Sequence, residues 1–262
     1  MSYAHVASVE RSCRQAVGML TEAWANASAA ARIVRAQGHR RVLGDGGREL
    51  RRGTLSAHPV MLVHGLGADK SCFSTMEDVL HRAGHTVYSV SYSCWDADVA
   101  ACANDLERET SWLLAETGAD RVQVVAHSLG GVALRWSAAH TRMGDWLSLG
   151  ITLGSPHGGS PMAHLAPTGT PGFGKIVSQL RPGVLGIDDA ALGQALATRW
   201  VALAGANDLI VPPRYARLPA AANVRNATVP WAGHLTLTRD PRCLAIITSE
   251  LEVARPRPAR CA

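Results

Sequence analysis

Residues 124–131, which read Val-Val-Ala-His-Ser-Leu-Gly-Gly, decide how this chain folds. An apolar, β-branched run leads into the segment, which is typical of a buried strand, whereas the residues after Ser128 have helical spacing. Small residues on both sides of Ser128 permit a sharp turn between the two elements. We therefore interpret the segment as a strand, a turn and a helix, with the Ser128 hydroxyl lifted clear of the strand. This arrangement is typical of a catalytic nucleophile; a serine that only caps a helix is the alternative.

Short apolar strands alternate with helices on both sides of this segment. Strands are predicted at residues 59–63, 86–92, 121–126, 146–153, 200–204 and 223–229. Helices are predicted at residues 73–82, 98–116, 129–139 and from about residue 241. This alternation implies a doubly wound α/β fold, in which a mainly parallel sheet of about six strands is covered by helices on both faces. We assign residues 59–262 to one catalytic domain, in which the Gly- and Pro-rich residues 155–194 form a cap-like or lid-like insertion.

The first 58 residues have a different pattern. Apolar positions three or four residues apart from Val6 to Val34 predict an amphipathic helix, assigned to residues 1–38. Such a helix would lie on the domain, or it would contact a partner or a membrane surface. Residues 39–58 are interpreted as a basic, Gly-rich linker whose arginines either form a surface contact or are simply solvated. These arginines are Arg40, Arg41, Arg48, Arg51 and Arg52.

The composition of the chain disfavours several classes of function. The chain has 262 residues, 47% of them apolar, which is enough for one large hydrophobic core. Its net charge of +5 comes from arginines scattered along predicted helices, so nucleic-acid binding is not expected. Six cysteines without a C-x-x-C motif favour neither a zinc site nor a redox motif, and their pairing stays open. No apolar run is long enough to span a membrane.

Two motifs carry a resemblance to a known family. The turn at Ser128 resembles the nucleophile elbow of α/β hydrolases, usually Gly-x-Ser-x-Gly. Ala126 replaces the first glycine here, and the Ala-x-Ser-x-Gly form is similar to that of certain small bacterial lipases and esterases. Residues 155–159, Ser-Pro-His-Gly-Gly, resemble the Thr-Pro-His-x-Gly segment that follows the sixth strand in bacterial lipases. The resemblance covers about residues 59–252 and implies an α/β-hydrolase fold with serine-esterase chemistry.

The family resemblance also implies a triad in the chain order nucleophile, acid, base. In this sequence the order is matched by Ser128, Asp208 and His234, each in a loop or turn after a predicted strand. A carboxylate at Asp208 can orient the histidine and stabilise its cationic form during acyl transfer. An Asx-turn role for Asp208 is the alternative, in which case Asp188 or Asp189 would be the acid.

The oxyanion hole of the resembled fold is built from backbone N–H groups. One comes from the loop after an early strand, and the other comes from the residue that follows the nucleophile. In this chain the loop is His64-Gly65-Leu66-Gly67, so the two donors map to Leu66 and Leu129. Leucine side chains are compatible with this role because the donors belong to the main chain.

Further residues are candidates for the wall of the substrate pocket. They are His64, His127, His157, Phe173, Ile176 and Leu180. Although His127 precedes Ser128, neighbouring residues at a strand end point to different sides, so its imidazole is not expected to reach the Ser128 hydroxyl. A structural turn is an equal alternative for His157. The insertion at residues 155–194 is expected to lie over Ser128 and to set the acyl-chain preference.

Together these patterns predict a carboxylic-ester hydrolase that needs no metal or cofactor and works through an acyl-enzyme on a small-molecule or lipid ester. The same triad would serve an acyltransferase or a thioesterase-like cyclase. A non-catalytic binding protein is a further alternative, disfavoured by the complete triad. Residues 11–29 imitate a secretion signal, but Glu22 and Asn26 interrupt its apolar part, so a cytoplasmic location is predicted. Secretion stays open because comparable lipases are commonly secreted.

Overall fold

The computed structural model describes residues 47–55, 58–165, 172–184 and 198–254. The predicted N-terminal helix therefore lies outside the described residues, as do Arg40, Arg41, Asp188 and Asp189. Within the described ranges the chain forms a seven-stranded sheet with helices on both faces. The strands are β1 (Leu50–Arg51), β2 (Val60–Val63), β3 (Val87–Ser89), β4 (Val122–His127), β5 (Leu147–Leu153), β6 (Arg199–Gly205) and β7 (Val224–Val229). The helices are α1 (Ser74–Arg82), α2 (Val99–Thr117), α3 (Leu129–His140), α4 (Met143–Trp146), α5 (Gly174–Gln179) and α6 (Pro241–Val253).

The sheet has the order β1-β3-β2-β4-β5-β6-β7. All neighbouring strands are parallel except β1 and β3, which are antiparallel. The predicted α/β class is confirmed, because all six strands expected from the sequence are present and helices follow them as expected. In a parallel sheet of this kind the loops at the carboxyl ends of the strands meet at one edge, and this edge is where ligands bind.

The hydrophobic core is divided by the sheet into two parts. Alternate residues of a strand point to opposite faces, and in β2 Met61 and Val63 belong to one part whereas Val60 and Leu62 belong to the other. The first part is covered by α2 and α3, and the second by α1 and α6. Because β2 is buried on both faces, its sequence is a continuous apolar run instead of an alternating pattern, whereas the equally buried β4 also contains Gln123 and His127.

Strand β1 was not predicted from the sequence, because a strand of 2 residues has no measurable periodicity. It lies in the segment that was interpreted as a basic linker, and Leu50 pairs with Tyr88 of β3. The described arginines of that segment all pair with acids of α1 and α2. The pairs are Arg48 with Glu109, Arg51 with Asp78 and Arg52 with Glu116. Here the positive charge serves to attach the segment to the domain.

Glu109 of α2 is the buried partner in this attachment. Its carboxylate accepts two hydrogen bonds from Arg48, at 2.9 and 2.8 Å, and one from the Tyr88 hydroxyl at 2.6 Å. Burial acts to raise the pKa of Glu109, but the hydrogen bonds from Arg48 and Tyr88 outweigh burial and hold the pKa below its ordinary value.

We expect Glu109→Gln to lower the free energy of unfolding by about 1–2 kcal/mol at neutral pH, because charge-assisted hydrogen bonds are lost while Arg48 stays partly solvated. Since the folded-state pKa is depressed, the carboxylate stabilises the fold above its unfolded pKa, and this contribution is lost as the pH falls through the folded pKa. Denaturant unfolding of both proteins at neutral pH and at about pH 3 measures the effect. The difference between the two proteins should shrink at the lower pH; a constant difference would contradict the assignment.

Among the described residues, no helix combines the length and the apolar character that crossing a bilayer requires.

Candidate active site

Ser128 occupies the turn between β4 and α3. Its backbone angles are φ 53° and ψ −124°, a conformation that residues other than glycine rarely adopt. The turn is held on one side by the Ser128 amide, which donates to the carbonyl of Leu153 in β5 at 2.9 Å. The strand, turn and helix predicted from the sequence are therefore present, and the turn is strained at the candidate nucleophile.

Two glycines leave the space that this turn needs. A Cβ on Gly65 would lie 2.8 Å from the Cβ of Ser128, and a Cβ on Gly130 would lie 2.6 Å from the carbonyl oxygen of His64. Both distances are shorter than two such non-bonded atoms tolerate. The glycines thus allow the loop after β2 and the start of α3 to approach each other directly beside Ser128.

The side chains of Ser128, His234 and Asp208 form a hydrogen-bonded chain. His234 Nε2 lies 3.0 Å from Ser128 Oγ, and His234 Nδ1 lies 2.8 Å from Asp208 Oδ2. The carboxylate can only accept, so Nδ1 carries the proton and Nε2 is left to accept from the serine hydroxyl. Asp208 is 3% exposed and His234 is 4% exposed, so water has little access to the bond between them, whereas Ser128 is partly exposed at the cavity.

The second oxygen of Asp208 is fixed by the backbone. Oδ1 accepts from the amides of Ile210 at 2.9 Å and Val211 at 2.7 Å, so the carboxylate cannot rotate away from His234. Asp208 follows β6 and His234 follows β7, which places both beside Ser128 at the carboxyl ends of the strands. The three residues named from the sequence are therefore brought together.

The two candidate oxyanion donors flank the candidate nucleophile. Leu129 is the first residue of α3, where an amide has no acceptor within the helix, and Leu66 lies in the loop after β2. His64 supports this loop because its Nδ1 donates to the carbonyl of Gly65 at 3.0 Å. Leu66 and Leu129 therefore both offer a backbone N–H group at the edge of the sheet that carries Ser128.

Sequence reasoning missed Tyr92, which also supports the loop after β2. The Tyr92 hydroxyl donates to the carbonyl of His64 at 2.7 Å, and the two rings stack with centroids 4.5 Å apart. Burial raises the pKa of Tyr92 well above its ordinary value, so the hydroxyl keeps the proton that it donates. The only available signal was an aromatic residue with a polar tip near the end of a predicted strand.

A cavity of about 480 Å³ opens in front of Ser128 and His234. Its apolar lining includes Leu66, Met162, Ala163, Val177, Leu180 and Ile210. Its polar lining includes Asp69, Ser71, Thr75, Thr238 and Arg239. Part of the apolar lining comes from the predicted insertion, from which Met162, Ala163, Val177 and Leu180 reach the cavity.

The six candidates for the pocket wall have different locations. His127 and Leu180 line the cavity, whereas the other four do not. Ile176 is completely buried in the core, and the Phe173 ring packs edge-on against Trp95 with centroids 5.2 Å apart. Leu180 follows the end of α5 and is also largely buried, but unlike Ile176 it reaches the cavity.

The two remaining histidines have structural contacts. His64 supports the loop after β2, as described above. His157 is buried, and its Nε2 lies 3.0 Å from the hydroxyl of Thr152. Burial keeps the pKa of His157 well below its ordinary value, so the ring is neutral. The turn role, which the sequence left open for His157, fits this location.

Within the described ranges no two cysteines form a disulfide, and the cysteines there are Cys72, Cys94, Cys102 and Cys243. In the same part of the chain, His, Cys, Asp and Glu side chains form no group of three or more that could hold a metal ion.

Known proteins share this architecture. The mature form of a Bacillus licheniformis lipase superposes with a TM-score of 0.69 at 18% identity, over 80% of this chain and 99% of that one. A thermophilic esterase from Thermogutta terrifontis gives a TM-score of 0.56 at 22% identity, over 82% of this chain and 97% of that one. These similarities show the fold.

Curated relatives match a shorter part of the chain. A triacylglycerol lipase of Pseudarthrobacter phenanthrenivorans is 34% identical over 116 residues, which is 40% of this chain and 35% of the relative. A triacylglycerol lipase of Burkholderia plantarii is also 34% identical over 116 residues, which is 40% of this chain and 31% of the relative. The matched segment thus spans about a third of each relative's length. The profile of the alpha/beta hydrolase family, in contrast, matches residues 60–260, and this chain therefore belongs to the alpha/beta hydrolase family.

Proposed function

We propose that this protein hydrolyses carboxylic esters, with Ser128 as the nucleophile of an acyl-enzyme. One observation carries the proposal: a chain of hydrogen bonds, 3.0 and 2.8 Å long, joins Ser128, His234 and Asp208 beside a cavity. A serine, a histidine base and an orienting carboxylate in this geometry are the parts that acyl transfer needs. The curated relatives, which are named triacylglycerol lipases, support esters as the substrate class.

In the acylation step, His234 Nε2 takes the hydroxyl proton as Ser128 Oγ attacks the ester carbonyl. The carbonyl oxygen becomes negative, and the amides of Leu66 and Leu129 donate hydrogen bonds to it. Asp208 stabilises the imidazolium that has formed. The tetrahedral intermediate then breaks at the alkoxy oxygen, and the alcohol leaves with the proton from His234.

In the deacylation step, a water molecule enters the space left by the alcohol. His234 takes one proton of the water while the oxygen attacks the acyl carbonyl. The bond to Ser128 Oγ breaks, the acid is released, and the proton returns from His234 to the serine. No group outside the described triad and the two backbone amides is required for this cycle.

The cavity lining favours an ester with an apolar acyl part. Met162, Val177 and Leu180 come from the insertion, and each places an apolar side chain at the cavity of Ser128. Burying a methylene group against such a wall is worth roughly 1 to 3 kcal/mol of discrimination. Contact of the N-terminal segment with a lipid surface and a cytoplasmic location stay predictions.

We expect Leu180→Ala to change the relative kcat/KM values among esters of different acyl length by roughly tenfold, because Leu180 lines the cavity. Ile176→Ala is the matched control, since Ile176 lies one helical turn earlier but is completely buried in the core. It should lower stability without changing the order of preference. Measuring kcat/KM across an acyl series for both variants checks this; equal losses at every length in Leu180→Ala would contradict it.

The proposal as a whole is tested with two measurements on the full chain. A fluorophosphonate probe should label one residue, and peptide mapping should place the label on Ser128. Turnover should then be measured with oxyesters, thioesters and amides, and oxyesters should give the highest kcat/KM. Absence of both labelling and turnover in correctly folded protein would overturn the proposal and favour a non-catalytic binding protein.

A further inference from the structure

His127 contacts both loops that flank the nucleophile, although it is not part of the triad. It is the last residue of β4, directly before Ser128, and only 3% of it is exposed. Its Nε2 lies 2.9 Å from the backbone carbonyl oxygen of His234. We infer that His127 is a positioning residue that fixes the main chain of the catalytic histidine relative to the nucleophile; this inference rests on the proposed ester hydrolysis.

The hydrogen bond fixes the tautomer of His127. A carbonyl oxygen can only accept, so Nε2 carries the proton and Nδ1 carries a lone pair. Nδ1 is buried and has no hydrogen-bond partner among the described residues. The ring therefore has one polar function, and that function is the donation to His234.

The opposite side of the His127 ring faces the oxyanion loop. A Cβ on Gly65 would lie 3.3 Å from His127 Nδ1, so the glycine backbone packs closely against the ring. His127 is thus placed between the loop of Leu66, which offers one oxyanion donor, and the loop of His234, which offers the base. A substitution of His127 would therefore change the packing of both loops.

His127 is also suited to stand beside a base that becomes charged. The ring centroids of His127 and His234 are 4.9 Å apart. Burial, together with the neighbouring His234, lowers the pKa of His127 to about 3, while the hydrogen bond to the His234 carbonyl opposes this only in part. His127 therefore stays neutral when His234 takes the proton from Ser128, and it adds no repulsion to the imidazolium.

Asp208 and His127 act on different parts of His234. Asp208 bonds to the ring and sets its tautomer, whereas His127 bonds to the backbone and sets the position of the Cα atom. Losing the backbone bond should allow His234 to move away from Ser128, and a displacement of about 1 Å can cost about 100-fold in rate. Ground-state binding in the cavity should change much less.

The test compares His127→Asn with His127→Gln in the full chain. The glutamine amide extends as far as Nε2 of histidine and can still donate to the His234 carbonyl, whereas the asparagine amide is too short. We expect His127→Asn to lower kcat for a good ester by about 10- to 100-fold with little change in KM, and His127→Gln to restore most of the loss. The midpoint of the acid limb of kcat/KM against pH should stay unchanged in both, because no charge is removed.

Controls separate this role from a loss of stability. His127→Leu removes the donor without adding polarity and should resemble His127→Asn. His85→Leu removes another buried histidine. His85 lies before β3, at the amino ends of the parallel strands and away from Ser128, so this variant should keep the wild-type kcat. Thermal unfolding confirms that the variants are folded, and if His127→Leu does not fold, the Asn and Gln pair carries the comparison.

Wild-type kcat in His127→Asn, a shifted acid limb, or an equal loss in His85→Leu would overturn the inference. Ester turnover by the wild type, lost in Ser128→Ala, would leave the proposed function standing in those cases. Absence of turnover in the wild type would instead overturn the proposed function itself.

Discussion

Ser128→Ala is expected to lower kcat/KM for esters by about 10⁴- to 10⁶-fold while the fold stays intact. The hydroxyl is the only group removed, and in the proposed mechanism its oxygen forms the acyl bond. Alanine and serine are similarly strained at a φ of 53°, so the variant should unfold at nearly the same temperature as the wild type. The remaining activity would come from the oxyanion amides and from binding alone.

The measurement is single-turnover and steady-state kinetics with an activated ester, together with fluorophosphonate labelling. The variant should bind substrate but should form no acyl-enzyme. A correctly folded Ser128→Ala protein with near-normal esterase activity would eliminate this site as the place of catalysis.

Asp208→Asn is expected to lower kcat by about 10⁴-fold with little change in KM. The backbone explains the size of the effect. The amides of Ile210 and Val211 hold one oxygen of the carboxylate, so the oxygen of an asparagine would occupy that position and its NH₂ group would face His234. His234 Nδ1 would then have to accept, the proton would move to Nε2, and the base could not take the proton of Ser128.

The controls for this prediction are Asp188→Asn and Asp189→Asn, which change the acids that the sequence left as alternatives. Both should keep activity near that of the wild type, because Asp208 already bonds to His234 at 2.8 Å. If either control lost activity as strongly as we expect for Asp208→Asn, the acid would be wrongly assigned.

The candidate triad residues could be named from the sequence because each follows a predicted strand, although the strand before His234 has only a weak apolar pattern. Ser128, Asp208 and His234 come after β4, β6 and β7, and parallel strands bring their following loops to one edge. Local patterns were therefore sufficient to place them. The same patterns gave the main helices and the α/β class.

The supporting contacts could not be predicted in this way, because they join residues that are distant in the chain. His127 and His234 are 107 positions apart, and Tyr92 and His64 are 28 positions apart. Periodicity also cannot show which face of a short helix meets a cavity. For this reason the sequence predicts Ile176 and Phe173 in the pocket wall, although in the structure both pack in the hydrophobic core.

Strand β1 has a practical consequence for handling the protein in shortened form. The sequence pattern suggests residue 59 as the start of the domain, but a chain beginning there would lose β1 and the paired arginines. The backbone N–H and C=O groups along the outer side of β3 would then face solvent, and such a free edge is a template for strand addition between molecules. Versions that begin at or before residue 47 keep this edge covered, and they should resist aggregation at concentrations where the shorter ones precipitate.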